Sequence, residues 1–352
     1  MNSILLSVDW ALVLEKTLFI AFIISISLVI AMYTTYGERK IAAWIQDRHG
    51  PNRAGPFGLL QPLADGLKLF FKEEIIPNSS NKFLFILGPS LAMITAMLTG
   101  AVIPWGDKIE IFGRSISLQI ADVNIGILYV FGVVSLGVYG IMIGAWASNN
   151  KFSLMGGLRA ASQIISYELA MGIALIALLM TSGTLSLGEM VRQQQTGGWN
   201  FFIQPLGFLI FLICAFAECN RTPFDLAEAE NELIGGYHAE YSSMKLGFYL
   251  FAEYINMFIS SAVMASLYFG GYDIIPFYDE SAWGLSVNTI AVLGALALFV
   301  KILLLIFVFM WVRWTIPRFR YDQLMNLGWK GLIPLALFNM LITAAFILFL
   351  RK

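Results

Sequence analysis

Residues 302 to 311 read ILLLIFVFMW, an unbroken apolar run with Lys301 immediately before it and Arg313 two residues beyond. A strand with one buried face alternates apolar with polar, and a membrane β-barrel repeats that alternation over segments of about ten residues. This stretch does not alternate. Extended outward it becomes Val287 to Trp311, long enough as a helix to cross ~30 Å of hydrocarbon, which takes about 20 apolar residues. Seven further runs share this character: Thr17 to Tyr36, Phe83 to Pro104, Ile125 to Ala147, Ser162 to Ser182, Phe201 to Cys219, Leu246 to Gly270 and Leu332 to Leu350. The sequence therefore predicts an all-α, multi-spanning membrane helix bundle of about eight transmembrane helices, forming one integral membrane domain over residues 1–352.

Composition supports this reading. The chain is 58% hydrophobic and 13% charged, whereas a soluble chain is about 25% charged, so an ordinary soluble enzyme is excluded. A net charge of -1 argues against nucleic acid, which calls for a basic face. Two cysteines are too few for a disulfide framework, a four-ligand metal site or an iron-sulfur cluster. The sequence also lacks the GxxxxGK[ST], GxGxxG and HExxH patterns. The chain is thus expected to bind no redox cofactor or metal of its own.

The first run follows 16 mixed residues and ends in YTTYGERK without a small-residue cleavage site, so it reads as a retained helix rather than a signal peptide. Pro62 to Glu74 is too short and too charged to span. Leu63, Leu67, Phe70 and Phe71 share one helical face while Asp65, Lys68, Lys72 and Glu73 lie largely elsewhere, the pattern of an amphipathic helix lying in the interface. Lys and Arg set the orientation. The loops at 37–82, 148–161, 220–245 and 312–331 hold fifteen of the 22 cations. The other side has Lys16, Lys108, Arg114, Arg192, Arg351 and Lys352, with Lys301 left inside a span. Those four loops are expected to be cytoplasmic and both termini external.

Ionisable groups inside spans cost at least ~2.5 kcal/mol each on insertion scales, so each calls for a partner, a water cavity or a function. Here they are Glu168, Glu218, Glu253 and Lys301, with Glu38 at the inner end of the first span. Glu38 and Glu218 are near helix ends, where water can reach them. Lys301 is 12 residues from Arg313, roughly 18 Å along a helix, beyond the reach of a lysine side chain. A buried ion pair with one of the carboxylates is one reading of it; a proton or ion path is the other, and four such charges on four spans favour the path.

The loop NRTPFDLAEAENELIGGYHAEYSSMK, Asn220 to Lys245, carries Asp225, Glu228, Glu230, Glu232 and Glu240 against only Arg221 and Lys245. Helical or extended, it brings Glu228 and Glu232 to one side, and crowded carboxylates drive at least one pKa upward. An ordinary solvated acidic loop is the plainer alternative. Gly235 and Gly236 mark a hinge. The first loop, GERKIAAWIQDRHGPNRAGPFGLLQPLADGLKLFFKEE, combines Gly and Pro with Trp44, Phe57, Arg39, Arg48 and Arg53. Such a cleft at the membrane face suits an amphiphile with an apolar tail and a polar head; anchoring to lipid headgroups is the simpler alternative.

These two loops, with SQIISYELA and RWTIPRFRYDQLMNLGWKGLIPL, resemble the H-subunit family of the bacterial proton-translocating NADH:quinone oxidoreductases, respiratory complex I. The mitochondrial counterpart is subunit 1. The resemblance spans nearly the whole chain and implies a bacterial inner-membrane protein with quinone as substrate and the iron-sulfur clusters and FMN in partner subunits. Its partners would be the hydrophilic-arm subunits that form the quinone site, the antiporter-like membrane subunits, and lipid. By resemblance, Glu38, Arg39, Asp65, Lys68, Phe224 and Asp225 belong to the quinone channel, with Arg48 and Arg53 near its mouth. Glu228, Glu230, Glu232 and Glu240 match the acidic loop beneath the quinone chamber. Glu168, Glu218 and Glu253 match the buried carboxylates that couple quinone reduction to proton translocation, a role to which Lys301 is joined here. A related hydrogenase-type complex and a stand-alone ion carrier are the rival readings.

Overall fold

The computed structural model describes residues 10–111, 114–278 and 284–350; Arg351 and Lys352 lie outside them. Seven helices among these residues are long and apolar enough to cross a membrane. They are α1 (Trp10–Ile45), α3 (Lys82–Thr99), α4 (Gly126–Ala147), α5 (Lys151–Ser182), α10 (Ser243–Tyr268), α11 (Val287–Thr315) and the continuous helix formed by α12 (Tyr321–Asn326), a π-helical turn (Leu327–Leu332) and α13 (Ile333–Leu350). The predicted fifth span is shorter than its apolar run. A four-residue turn, α7 (Asn200–Ile203), breaks at Gln204, and α8 (Pro205–Glu218) starts afresh on a proline. At 14 residues α8 extends roughly 21 Å, short of the hydrocarbon thickness. The architecture is thus the expected all-α bundle, with one short helix among seven long ones.

The apolar runs mark what must lie in hydrocarbon, but the helices continue past them. α1 runs on to Ile45, so Glu38 and Arg39 sit on a rigid helix rather than in a loop. α5 starts at Lys151, capped by the Asn150 side chain accepting from Phe152 N, so most of the predicted 148–161 loop is helical. The end of the 312–331 loop is helical too. The amphipathic helix appears as α2 (Gln61–Phe71): Asp65, Gly66 and Leu69 turn toward the bundle, while Leu63, Leu67, Phe70 and Phe71 are exposed. At the opposite end a small hairpin, β1 (Lys108–Ile111) with β2 (Arg114–Ser117), and helix α6 (Leu187–Gly197) cover the bundle.

α10 is the most enclosed long helix and packs against α1, α3 and α11. α3 and α4 approach closely on small residues: a Cβ at Gly140 would lie 2.8 Å from Ala92 N and one at Gly88 2.7 Å from Gly144 Cα. Without a hydrophobic drive between helices in lipid, such backbone-to-backbone approach supplies the van der Waals attraction. α5 packs against α8 and α13. These contacts bring the last turns of α1, α8 and α11 and the first turns of α10 to one end of the bundle, the end that also bears α2.

Candidate functional site

Glu38 of α1, Arg313 in the last turn of α11 and Arg221 just beyond α8 meet at that end. Arg313 Nη1 lies 2.7 Å from Glu38 Oε1; Tyr254 donates its hydroxyl to Glu38 Oε2 at 2.8 Å, and Arg221 Nη1 lies 3.5 Å from the same oxygen. Arg221 also reaches Glu253 of α10, Nη2 to Oε2 at 3.8 Å, and its guanidinium sits 4.1 Å from the centre of the Tyr254 ring. Glu38, Arg221 and Glu253 are all buried. Glu38 is therefore not the solvated helix-end residue that its position allowed. Taking charges out of water costs several kcal/mol per ion, which close pairing has to offset. Burial works against the Arg221 charge, yet Tyr254, Glu38 and Glu253 together raise its pKa above the ordinary value.

The loop from Asn220 wraps inward from this point. Asn220 takes a left-handed φ of 49°, and the loop is pinned by Gln163 of α5, whose side-chain amide donates to Ala217 O at 2.8 Å and Phe224 O at 2.7 Å. Phe224 packs between Tyr167 and Phe319. Asp225 pairs with Arg318 at 2.7 Å; burial first, then the Glu228 charge, raises its carboxyl to about 6. At Gly236 φ is 59°, and a Cβ would fall 1.7 Å from Ala227 O, so the chain folds back on itself there only because the residue is glycine. Gly235 and Gly236 thus form a tightly packed reversal.

That reversal presents Tyr237 and His238 to the buried acids. The Tyr237 hydroxyl lies 2.9 Å from Glu253 Oε1 and 3.2 Å from Glu228 Oε1, with His238 Nε2 3.3 Å from the same Glu228 oxygen. Burial pushes Glu228 up, but side-chain hydrogen bonds with His238 and Glu253 and the charges of His238 and Arg221 outweigh it and hold the carboxyl well below the usual range. The reciprocal contacts raise the His238 imidazole against its burial. The predicted crowding of Glu228 with Glu232 does not occur. The short helix α9 (Glu230–Leu233) turns Glu232 outward to Arg159, 2.6 Å away, and Glu240 accepts from Asn150 at 2.6 Å. The Glu230 side chain lies outside the described residues.

Glu253 and Tyr237 line a small interior cavity that also contacts Asn256 and Glu218. A second small cavity shares Glu218 and Asn256 and continues past Ser260 to Thr99. Glu218 therefore faces interior space rather than solvent at its helix end. On the other side of Glu38 lies a groove between α1, α2 and α10, lined by Arg39, Asp65 and Lys68 as well as Leu250, Phe251 and Trp314. Arg39 and Asp65 pair across it at 2.6 Å. Arg48 and Arg53 are exposed on the loop after α1 and do not line the groove.

The model of the NADH dehydrogenase family matches residues 17–344 of the chain. One of the relatives named as the H subunit of NADH-quinone oxidoreductase, that numbered 1 in Cytophaga hutchinsonii, is 70% identical over 95% of this chain and 97% of its own length. The chain belongs to the H-subunit family. The H subunit of Flavobacterium psychrophilum is 63% identical over 97% of this chain and 100% of the relative, and that numbered 1 in Geobacter sulfurreducens is 49% identical over 90% of each.

Against this family background the remaining site residues divide by position. Glu168 accepts a short hydrogen bond from Ser135 and lines a lateral, largely apolar groove between α4, α5 and Trp329. Lys301 is at the far end of the bundle, where its ammonium donates to the carbonyls of Phe269, at 2.6 Å, Gly271, at 3.0 Å, and Asp273, over the Trp199 ring. It closes the C-terminal end of α10 and makes none of these contacts with Glu38, Glu218 or Glu253. Sequence reading missed Arg221, Arg313, Tyr237, Tyr254, Asn256 and Gln163 as site residues. The arginines were visible only as loop charge, and nothing in their local spacing ties them to the distant carboxylates that they meet in the fold. Among the described residues no three His, Cys, Asp or Glu side chains are arranged to hold a metal ion.

Proposed function

We propose that this chain, as a membrane subunit of an NADH:quinone oxidoreductase, admits quinone from the lipid through the α1/α2/α10 groove and couples its reduction to proton movement through the buried carboxylates. The observation that carries this reading is the double position of Glu38. It lines the groove and is also held by Arg313, Arg221 and Tyr254, and through Arg221 it is tied to Glu253.

The groove's chemistry suits an amphiphile. Leu246, Leu250 and Phe251 offer apolar walls, Arg39, Asp65 and Lys68 a polar rim, and the exposed apolar face of α2 lies in the interface beside it. A change of charge near Glu38 alters how fully Arg221 is compensated. The balance then shifts at Glu253 and passes through the cavities to Glu218, with Glu168 leading toward neighbouring membrane subunits. The acidic loop at Asp225 and Glu228 lies against the same arginine cluster. The basic loops support a cytoplasmic setting for this end of the bundle, on the side from which the soluble redox subunits would dock. Lys301 has no place in this path; it fastens the outer end of α10.

The test is Glu38→Gln in the intact complex in inverted membrane vesicles. Inhibitor-sensitive quinone reduction and proton pumping are expected to fall together, while NADH oxidation by an artificial acceptor at the soluble arm persists. A normally assembled variant with wild-type pumping overturns the reading. Glu218→Gln separates the two halves: it should lower pumping, and unchanged pumping with normal assembly removes Glu218 from the path.

A further inference from the structure

The cluster around Arg221 holds its protons out of reach of water at nearly every point. Glu38, Asp225 and Glu253 are buried, and Tyr237 is 1% exposed. Arg313 and Arg318 are more open, but a guanidinium does not release a proton in a protein. His238 and Glu228 differ: their side chains are 19% and 18% exposed and touch each other. They form the edge at which the buried set can exchange protons with the loop side of the bundle.

The geometry inward from that edge is continuous. His238 Nε2 to Glu228 Oε1 is 3.3 Å, Glu228 Oε1 to Tyr237 Oη 3.2 Å, and Tyr237 Oη to Glu253 Oε1 2.9 Å; Glu228 and Glu253 also interact directly, side chain to side chain, with Tyr237 bridging them. Glu253 and Tyr237 then open on the cavity that contacts Asn256 and Glu218. The backbone fixes this order. The glycine reversal at 235–236 seats the turn against Ala227 O, and α5 meets it with Gly156, whose missing side chain lets Tyr237 N approach. The charged groups facing His238 are Glu228 and Asp225, with Arg221 and Glu253 acting on Glu228.

We propose that His238 is the proton-loading residue of this cluster, passing protons from the loop side to Glu253 through Glu228 and the Tyr237 hydroxyl. The proposal rests on the coupling reading above and names where its protons enter. The step balances as a relay. The His238 imidazolium gives its Nε2 proton to Glu228, a transfer that runs uphill because the same pairing holds Glu228 ionised, so protonated Glu228 is only transient. Protonated Glu228 then gives a proton to Tyr237 Oη as the Tyr237 hydroxyl proton passes to Glu253 Oε1. The neutral imidazole is reloaded from water, and one proton has moved inward. The upward shift of the His238 pKa, caused by Glu228 against the effect of burial, keeps the donor loaded near neutral pH.

The test compares His238→Gln, Tyr237→Phe and Glu253→Gln in the complete complex in proteoliposomes, reading protons pumped per electron and turnover against pH. The glutamine amide can still donate to Glu228 but cannot release a proton. Positioned acid–base groups contribute roughly a hundredfold or more, so His238→Gln should slow proton uptake at least about tenfold. It should also abolish the limb of the pH profile that follows imidazole deprotonation. Tyr237→Phe should show a similar loss while keeping that limb, a distinction that a merely structural role would not produce. Wild-type pumping and an unchanged profile in His238→Gln, with pumping lost in Glu253→Gln, overturn the role of His238 and leave the coupling reading standing. Wild-type pumping in Glu253→Gln as well overturns both. Should His238→Gln fail to assemble, Tyr237→Phe decides, and full pumping by that variant overturns the relay.

Discussion

Gly156→Ala tests whether the Tyr237 turn must sit where it does. The new Cβ would lie 2.6 Å from Tyr237 N, 2.8 Å from Ala227 O and 2.9 Å from Gly236 C, all backbone atoms that cannot rotate away. Carbon contacts become comfortable near 3.5 Å, so the turn has to retreat from α5 by roughly 0.8 Å. A retreat of that size along the Tyr237 to Glu253 bond stretches it from 2.9 Å to about 3.7 Å, beyond hydrogen-bond range. A hydrogen bond to a charged group contributes about 1.5–3 kcal/mol, so the connected arrangement becomes roughly ten- to a hundredfold rarer. Overpacking itself costs about 1–3 kcal/mol, enough to lower stability without preventing assembly of a large complex. The assay is proton pumping in vesicles, normalised to the amount of assembled enzyme, beside Gly172→Ala. Gly172 lies on the same helix with nothing within 4 Å of its Cβ, so its variant should pump normally. An assembled Gly156→Ala enzyme that pumps as well as Gly172→Ala refutes the reasoning.

Three further outcomes are expected. Lys301→Met leaves the carbonyls of Phe269, Gly271 and Asp273 without their shared donor, at about 1–3 kcal/mol for a buried group left unsatisfied. The apparent Tm of the complex should fall while pumping per assembled enzyme holds, and lost pumping at normal Tm counts against the fastening role. Gln163→Ala removes the donor to Ala217 O and Phe224 O, with a similar cost for each carbonyl. Yield of assembled complex should drop, and more so for Gln163→Glu, which faces those oxygens with acceptors only; equal yields refute the pinning. For Asp225 the carboxyl is raised from 3.8 to about 6, so the folded state binds the extra proton. Its contribution to stability is complete below about pH 4 and is lost as pH rises through about 6. Asp225→Asn should therefore flatten the melting profile of the solubilised complex across that window, and an equally steep profile sinks this account.

How much was legible in the sequence follows from which forces are local. Apolar run length is a local quantity, and it placed the long helices and α2 because hydrocarbon permits no other spanning structure. It could not place the break at Gln204, since Gln204 is buried among Asn339, Thr343 and Ala177 O, partners as far as 139 residues away. It also misjudged helix ends, because α1 and α5 extend past the apolar runs to bury polar faces against protein. For the site, the cost of intramembrane charge singled out Glu168, Glu218 and Glu253 without any geometry. That argument detects isolated charges only. Arg221, next to an acidic loop, looked like ordinary loop charge, and Tyr237 and Tyr254 look like any interfacial tyrosine until the fold aims their hydroxyls at carboxylates.

The position of Arg221 supports the proposed coupling. A single guanidinium stands between Glu38 at 3.5 Å and Glu253 at 3.8 Å, both longer than the roughly 2.7–2.9 Å of a well-made charge-assisted hydrogen bond. Neither carboxylate is fully satisfied by it: Glu38 also pairs with Arg313 at 2.7 Å, and each acid is held in part by a tyrosine hydroxyl. Tight pairing would make the cluster inert, since moving one proton would then cost several kcal/mol of buried-charge imbalance. In the proposed coupling, looser sharing lets Arg221 move toward one acid or the other at lower cost. On that proposal a charge change at the groove end, where Glu38 is, is felt at Glu253 without any large movement of the helices, and the interior cavity beside Glu253 gives the displaced proton somewhere to go.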